Sequence, residues 1–242
     1  MANFFIDKSQ INGNVANITG EEAGHISRVL RMRPGDELTL CDGEGMFYDA
    51  AITEIQGGEV VAEISRQYPA PTEPKVKITL FQGIPKNPKL EFIVQKATEI
   101  GVVRIVPMNT TRIVAKLEKE NKVQRLCKIA AEAAKQSHRG IVPEVAAPVS
   151  FEKAVEMAAE SGLAIIPYEE ENQQSLRDYL GGKETESLAI LIGPEGGFEE
   201  SEVALAKEKG IVPVTLGPRI LRTETAGLVT ASLALYELGD MQ

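Results

Sequence analysis

The chain is poor in the residues that hold metals or staple small folds. It has two cysteines, Cys41 and Cys127, in 242 residues, and they lack metal-like spacing. This argues against a disulfide framework and a cysteine zinc site, and it fits a reducing, cytoplasmic compartment. Two histidines, His25 and His138, argue against a His-rich metal site. Long hydrophobic runs are also missing. The longest charge-free apolar stretch, Thr225 to Tyr236, has twelve residues, whereas a membrane-spanning helix needs about 20. No basic segment leading into a long apolar one opens the chain, so no signal peptide is expected. There is no G-x-x-x-x-G-K-[ST], no G-x-S-x-G and no G-x-G-x-x-G. Gly43-Glu44-Gly45 comes closest to the last but lacks the third glycine and sits in a hairpin setting. A P-loop, a hydrolase elbow and a dinucleotide fingerprint are thus excluded.

What remains is ordinary globular material. Apolar residues make up 43% and charged residues 25%, which argues against a disordered chain, a collagen or a coiled coil. The length suits one or two domains with a real core. Net charge is −9, but its distribution is uneven. Residues 1–72 carry net −6, residues 73–150 net +7 and residues 151–242 net −10. A basic middle third can attract phosphate even in an acidic protein, because the local field steers binding. The plainer alternative is a solvated, lysine-rich helix surface.

Tyr68-Pro69-Ala70-Pro71-Thr72-Glu73-Pro74 marks a boundary. Three prolines in six residues predict a semi-rigid linker. Before it, strand-like runs at 37–41, 46–55 and 60–64 are separated by turn signals about every ten residues, which predicts a small β-rich barrel. One helix is expected over 21–31, with Thr19 as a possible N-cap. After the boundary, strands are expected at 76–81, 102–108, 163–166, 188–192 and 212–216. Helices are expected at 90–100, 116–137, 151–162, 199–209 and 223–238, the last with Thr223 as N-cap. This alternation predicts an α/β domain with a mostly parallel sheet.

In open α/β sheets, ligands bind beyond the carboxyl ends of the strands. Three such ends carry unusual loops: Ile166-Pro167-Tyr168, Ile192-Gly193-Pro194-Glu195-Gly196-Gly197-Phe198, and the run from Leu216 to Ala226. Glycines let a ligand approach bare backbone N–H and C=O groups, and such groups can read an adenine edge. A single Gly-Pro turn would be plain turn chemistry. Two at successive strand ends, one with an added Gly-Gly, favour a ligand site.

These loops carry a resemblance. The Ile192–Phe198 loop and Leu216-Gly217-x-Arg219-Ile220-Leu221-Arg222-Thr223-Glu224-Thr225-Ala226 resemble the RsmE family of 16S ribosomal RNA (uridine-N3) methyltransferases, in the SPOUT superfamily. Supporting matches are Gln95-Lys96-x-Thr98-Glu99-x-Gly101-Val102, and Glu132-Ala133 with Gln136-Ser137-x-Arg139. In the first domain, His25-x-x-x-Val29-Leu30-Arg31, Gly35-Asp36 and Asp42-Gly43-x-Gly45 match as well. The chain departs from the family pattern at Asn3, where the family has arginine, and at Ile113, where serine follows the arginine.

The resemblance implies a two-domain α/β protein. A PUA-like RNA-binding β-barrel would span 1–70. A SPOUT methyltransferase domain would span 74–242, with a deep trefoil knot in about 163–226. General topology rules give no knot, so that expectation rests on the resemblance alone. It also implies a homodimer that uses S-adenosylmethionine and no metal to methylate N3 of a uridine near the decoding region of the small ribosomal subunit. Backbone groups around Pro167, Ile192, Gly193, Gly196, Leu216, Gly217 and Leu221 would hold the cofactor. Uridine N3 is a weakly acidic imide on the Watson–Crick edge. The base must be unpaired, and its developing anion needs a base or a cation beside it. Arg222 is the first candidate for that cation, the alternative being a salt bridge to Glu224 or Glu195. Glu195 is either the base or a loop anchor. Arg31, Arg112 and Arg139 are candidate phosphate contacts. His25 is expected as a cap or core residue, and His138 as solvated or near RNA. A non-catalytic RNA binder and an enzyme with another RNA target are the competing readings. The intact glycine loops count against the first, and the match across both domains against the second.

Overall fold

A computed structural model describes residues 3–86, 88–113 and 120–241. The chain divides into two compact units. The first comprises Met1–Glu73 and Ala134–Val142, the second Pro74–Ala133 and Pro143–Gln242.

The first unit holds β1 (Asn3–Phe5), β2 (Ile11–Asn12), β3 (Val15–Ile18), α1 (Gly20–Gly24), β4 (Glu37–Cys41), β5 (Met46–Gln56) and β6 (Glu59–Pro69). Its sheet runs β1-β4-β5-β6-β3-β2. All pairs are antiparallel except β1 with β4. Gly57 and Gly58 join β5 to β6, both at positive φ, as a tight two-residue hairpin requires. Register shifts at Asp49/Ala50 and Ile52/Glu54 bend β5, which is how a sheet curls. Phe4, Ile18, Ile26, Leu38, Leu40 and Ile52 fill the interior.

Two local expectations are corrected here. The helix expected over 21–31 is only α1, followed by a wider π turn over His25–Val29. Thr19 makes no side-chain cap, because its hydroxyl accepts from Gln10 Nε2 at 2.9 Å. The linker expected at 68–74 is partly strand. Tyr68 pairs with Phe47 and Pro69 with Met46, and proline is tolerated at a strand end, where no ladder donor is needed.

The second unit alternates as the sequence implied. It holds β7 (Lys77–Gly83), α2 (Lys89–Ile100), β8 (Arg104–Asn109), α3 (Glu120–Gln136, its last three residues assigned to the first unit), β9 (Glu144–Val145), β10 (Val149–Ser150), α4 (Phe151–Ala158), β11 (Leu163–Pro167), α5 (Leu176–Leu180), β12 (Ser187–Ile192), α6 (Glu200–Glu208), β13 (Val212–Val214) and α7 (Thr223–Glu237). The start of the helix expected from Lys116 lies outside the described residues. The sheet order is β10-β8-β7-β12-β11-β13, with β9 also on β8, and every pair is parallel. Gly101 stops α2 at φ 118°, a conformation that favours glycine. Ser150 caps α4 by accepting from Lys153 N–H at 3.2 Å. Ile78, Leu80, Ile105, Ile165 and Ile190 lie fully buried in the sheet. Because β12, β11 and β13 are neighbours in a parallel sheet, the loops after them leave from the same edge.

Candidate active site

Those three loops enclose a cavity of about 840 Å³. Pro167, Ile192, Gly193, Gly196, Leu216, Gly217 and Leu221 all line it, as do Arg222 and Glu195. The cavity size suits a small cofactor.

The glycine loop is held by close approach. A Cβ on Gly83, at the end of β7, would lie 2.6 Å from Pro194 N and 2.9 Å from Gly193 C. A Cβ on Gly193 would lie 3.1 Å from Gly197 C. Only glycine lets β7 and the two legs of the loop pack this tightly. A buried polar chain continues the bracing. Gln82 Nε2 donates to Thr223 Oγ1 at 2.9 Å, and Thr223 Oγ1 donates to Gly193 O at 2.6 Å. Thr223 was expected to cap α7. The N-cap is instead Arg222, and the threonine hydroxyl turns inward to the glycine loop.

Arg112 braces the same loop from outside. Its Nε and Nη2 reach Glu199 Oε1 and Oε2 at 2.8 and 3.1 Å, and Nη1 donates to Gly196 O at 2.9 Å. The hydrogen-bonded guanidinium holds the Glu199 carboxyl below its usual range. A planar fork engaged at both ends anchors the loop to α6, so phosphate clamping is not the role its geometry gives it. Arg139 lies in the first unit and is only 3% exposed. Its guanidinium meets Glu73 Oε2 at 2.5 Å and Oε1 at 3.2 Å. Glu73 Oε1 also accepts from Gly140 and Ile141 N–H. Arg139 is thus a buried structural tie, and the phosphate contact expected of it gives way. Arg31, also in the first unit, is exposed and left-handed at φ 55°. His25 is the C-cap of α1, one of its two expected roles; its ring is exposed and edge-on to Phe4, so the core role is not the one observed. His138 is exposed, as expected.

Arg222 is exposed at the cavity, and among the described residues its side chain has no ion-pair partner. The carboxylates expected to compete for it are held by Lys89, whose Nζ is 3.1 Å from Glu195 Oε1 and 3.1 Å from Glu224 Oε2. Burial raises the Glu195 carboxyl, but its own backbone amide, Lys89 and the Lys86 amide outweigh that, and the pKa ends below the usual range. Glu224 behaves alike: burial raises it, and its own amide, Lys89 and the nearby Arg222 charge pull it lower. A carboxylate held low and already bonded is a weak proton acceptor. Glu195 therefore reads as the loop anchor. Nothing in the sequence marks Lys89, whose place before Leu90 looks like that of any first-turn residue. Only the fold brings it to two carboxylates more than a hundred residues away. Among the described residues no group of three or more His, Cys, Asp or Glu could hold a metal ion.

Comparison with known proteins decides the lineage. Residues 72–235 match a family described as an RNA methyltransferase domain, and residues 18–65 one described as an RNA methyltransferase PUA domain. Ribosomal RNA small subunit methyltransferase E from Bacillus subtilis is 35% identical over 98% of this chain and 97% of its own. The chain belongs to the small-subunit ribosomal RNA methyltransferase E family. A family structure from Neisseria gonorrhoeae, bound to S-adenosylmethionine, superposes with a TM-score of 0.86 at 30% identity over the whole of both chains. A putative methyltransferase from Legionella pneumophila, in complex with the same cofactor, gives 0.80 at 32% identity, covering 97% of this chain and 96% of its own. The two-domain α/β class with a PUA-type first domain, expected from the sequence, is the one observed.

Proposed function

We propose that this enzyme transfers a methyl group from S-adenosylmethionine to N3 of an unpaired uridine in 16S ribosomal RNA of the small subunit, in the cytoplasm. The observation that carries this reading is the glycine-walled cavity lined by Arg222, which is exposed and has no ion pair among the described residues. When bound, the cofactor supplies an electrophilic methyl on a good leaving group, so no metal is required. The residues present fit it. Backbone from Pro167, Ile192, Gly193, Gly196, Leu216, Gly217 and Leu221 offers donors, acceptors and apolar contact without charged side chains. These groups hold and orient, and positioning supplies much of the rate in an in-line displacement.

The chain's remaining task concerns the acceptor. Arg222 places a permanent cation where the uracil anion forms, which lowers the cost of losing the N3 proton. Glu195 fixes the loop. Arg31, exposed in the first unit, remains the phosphate contact of choice among the three arginines considered. The knot over about 163–226 is part of the proposal. Its support is that all three cavity loops and the first turn of α7 fall within or beside that span.

A homodimer is the assembly proposed. Its support is α7, which is apolar nearly all round, a pattern that calls for cover on every side. Phe92 on α2 and Leu233 and Tyr236 on α7 nonetheless stay exposed.

The test is calorimetric titration of S-adenosylmethionine into purified protein. Small-subunit RNA, naked and assembled, is then incubated with both, and its nucleosides are analysed by mass spectrometry. Cofactor binding and new N3-methyluridine are expected. Binding with a different methylated nucleoside would move the target, and no binding would remove the reading.

A further inference from the structure

Lys89 stands where a lysine is electrostatically disfavoured. It is the first residue of α2, and a helix N-terminus repels a cation. Its two carboxylate partners explain the placement. One comes from the glycine loop after β12 and the other from the first turn of α7. Glu195 Oε1 also accepts from Lys86 N–H at 3.1 Å, just before α2. All three side chains are partly buried, at 29%, 29% and 17% exposure for Lys89, Glu195 and Glu224. One ammonium therefore joins three elements around the cavity.

Arg222 lies two residues before Glu224 and lines the same cavity as Glu195. Without Lys89, the partly buried Glu224, which already feels the Arg222 charge, and Glu195 in the same cavity would be left without their shared ammonium, close to a guanidinium that has no ion pair among the described residues. Resting on the methyl-transfer reading, we propose that Lys89 is a positioning residue that occupies Glu195 and Glu224 so that Arg222 stays available to the uracil anion. The lysine acts by withholding competitors rather than by touching substrate. An exposed cation lining the cavity and two carboxylates ion-paired to Lys89 is the arrangement this division of labour requires.

The test compares steady-state methylation of small-subunit RNA by four chains. These are the wild type, Lys89→Met, Lys89→Arg, and Lys89→Met combined with Glu195→Gln and Glu224→Gln. Capture of Arg222 should lower kcat for Lys89→Met about 100-fold, the scale for losing one charge-stabilising donor. KM for S-adenosylmethionine should stay within about threefold, since the cofactor loops keep their own bracing. Lys89→Arg should retain most of the activity. In the combined variant the competing charges are gone, and kcat should recover to within about tenfold of the wild type. A clamp that served folding alone would lower the melting temperature of Lys89→Met and leave kcat per folded molecule unchanged. A combined variant as slow as Lys89→Met overturns the proposal, as does a rise in KM that accounts for the whole loss.

Should Lys89→Met alone not fold, the Glu195→Gln/Glu224→Gln chain with and without Lys89 gives the comparison. The proposal expects equal rates there, and a large further loss overturns it. The wild-type product reports separately on the underlying reading. Another methylated nucleoside revises the target and leaves the variant ratios decisive, whereas no transfer at all removes both.

Discussion

A buried thiol and an exposed one should behave as different chemical groups. Cys41 is fully buried, and burial pushes its pKa up from 9.0 to about 11. Its sulfur sits 3.2 Å from Gly140 O. Cys127 is exposed. At pH 8 a thiol reagent should label Cys127 promptly and reach Cys41 only on unfolding, with peptide mass spectrometry as the readout. The raised pKa also fixes a sign. Its stabilising effect is complete below pH 9.0 and is lost as pH rises through about 11. Melting temperature should therefore fall across that window, and less so for Cys41→Ser. At this scale the sequence was partly legible. Arg112, Arg139 and Arg222 were visible as charges, but which of them had partners was not. Glu73 and Glu199 lie 66 and 87 residues from the arginines they hold, and no local pattern joins such pairs.

Elements carry the next two predictions. Gly83 ends β7 against the backbone of Pro194, which cannot yield as a flexible side chain would. Gly83→Ala should displace the glycine loop and lower kcat by about 100-fold, the scale for a misplacement of about 1 Å. The fold should be kept, as circular dichroism would show. The buried Arg139–Glu73 pair ties Ala134–Val142 to the end of the first unit's own chain segment. Arg139→Ala leaves Glu73 without that partner in a buried place and should cost about 3–5 kcal/mol by urea denaturation.

The long periodic elements were legible because 3.6- and 2-residue patterns need only a few turns or pleats to declare themselves. β9, β10 and β2 have two residues each and declare nothing. The return of 134–142 to the first unit was equally silent, since a partner choice leaves no mark on local periodicity. Thr223 does not cap α7 because its hydroxyl accepts from Gln82 Nε2 and donates to Gly193 O.

At the scale of the whole molecule, an acidic chain acting on RNA needs geometry more than bulk attraction. Weak binding to random RNA at about 0.15 M salt is the expected outcome of a filter-binding assay. The proposed dimer would cover the exposed apolar residues of α2 and α7. Sedimentation at micromolar concentration should give a dimer, and Tyr236→Glu with Leu233→Glu should give a monomer. The resemblance legible in two glycine loops reached the family, because each loop carries a long run of matching residues. The nucleotide and the assembly state leave no such trace.

This cavity and Arg222 are proposed to methylate uridine N3 in small-subunit RNA. The most direct measurement is nucleoside mass spectrometry of that RNA from cells lacking the gene, and from the same cells carrying wild-type or Arg222→Ala copies. The account expects N3-methyluridine to be absent, restored by the wild type, and not restored by the variant. N3-methyluridine present at full level without the gene, or restored fully by Arg222→Ala, would contradict it.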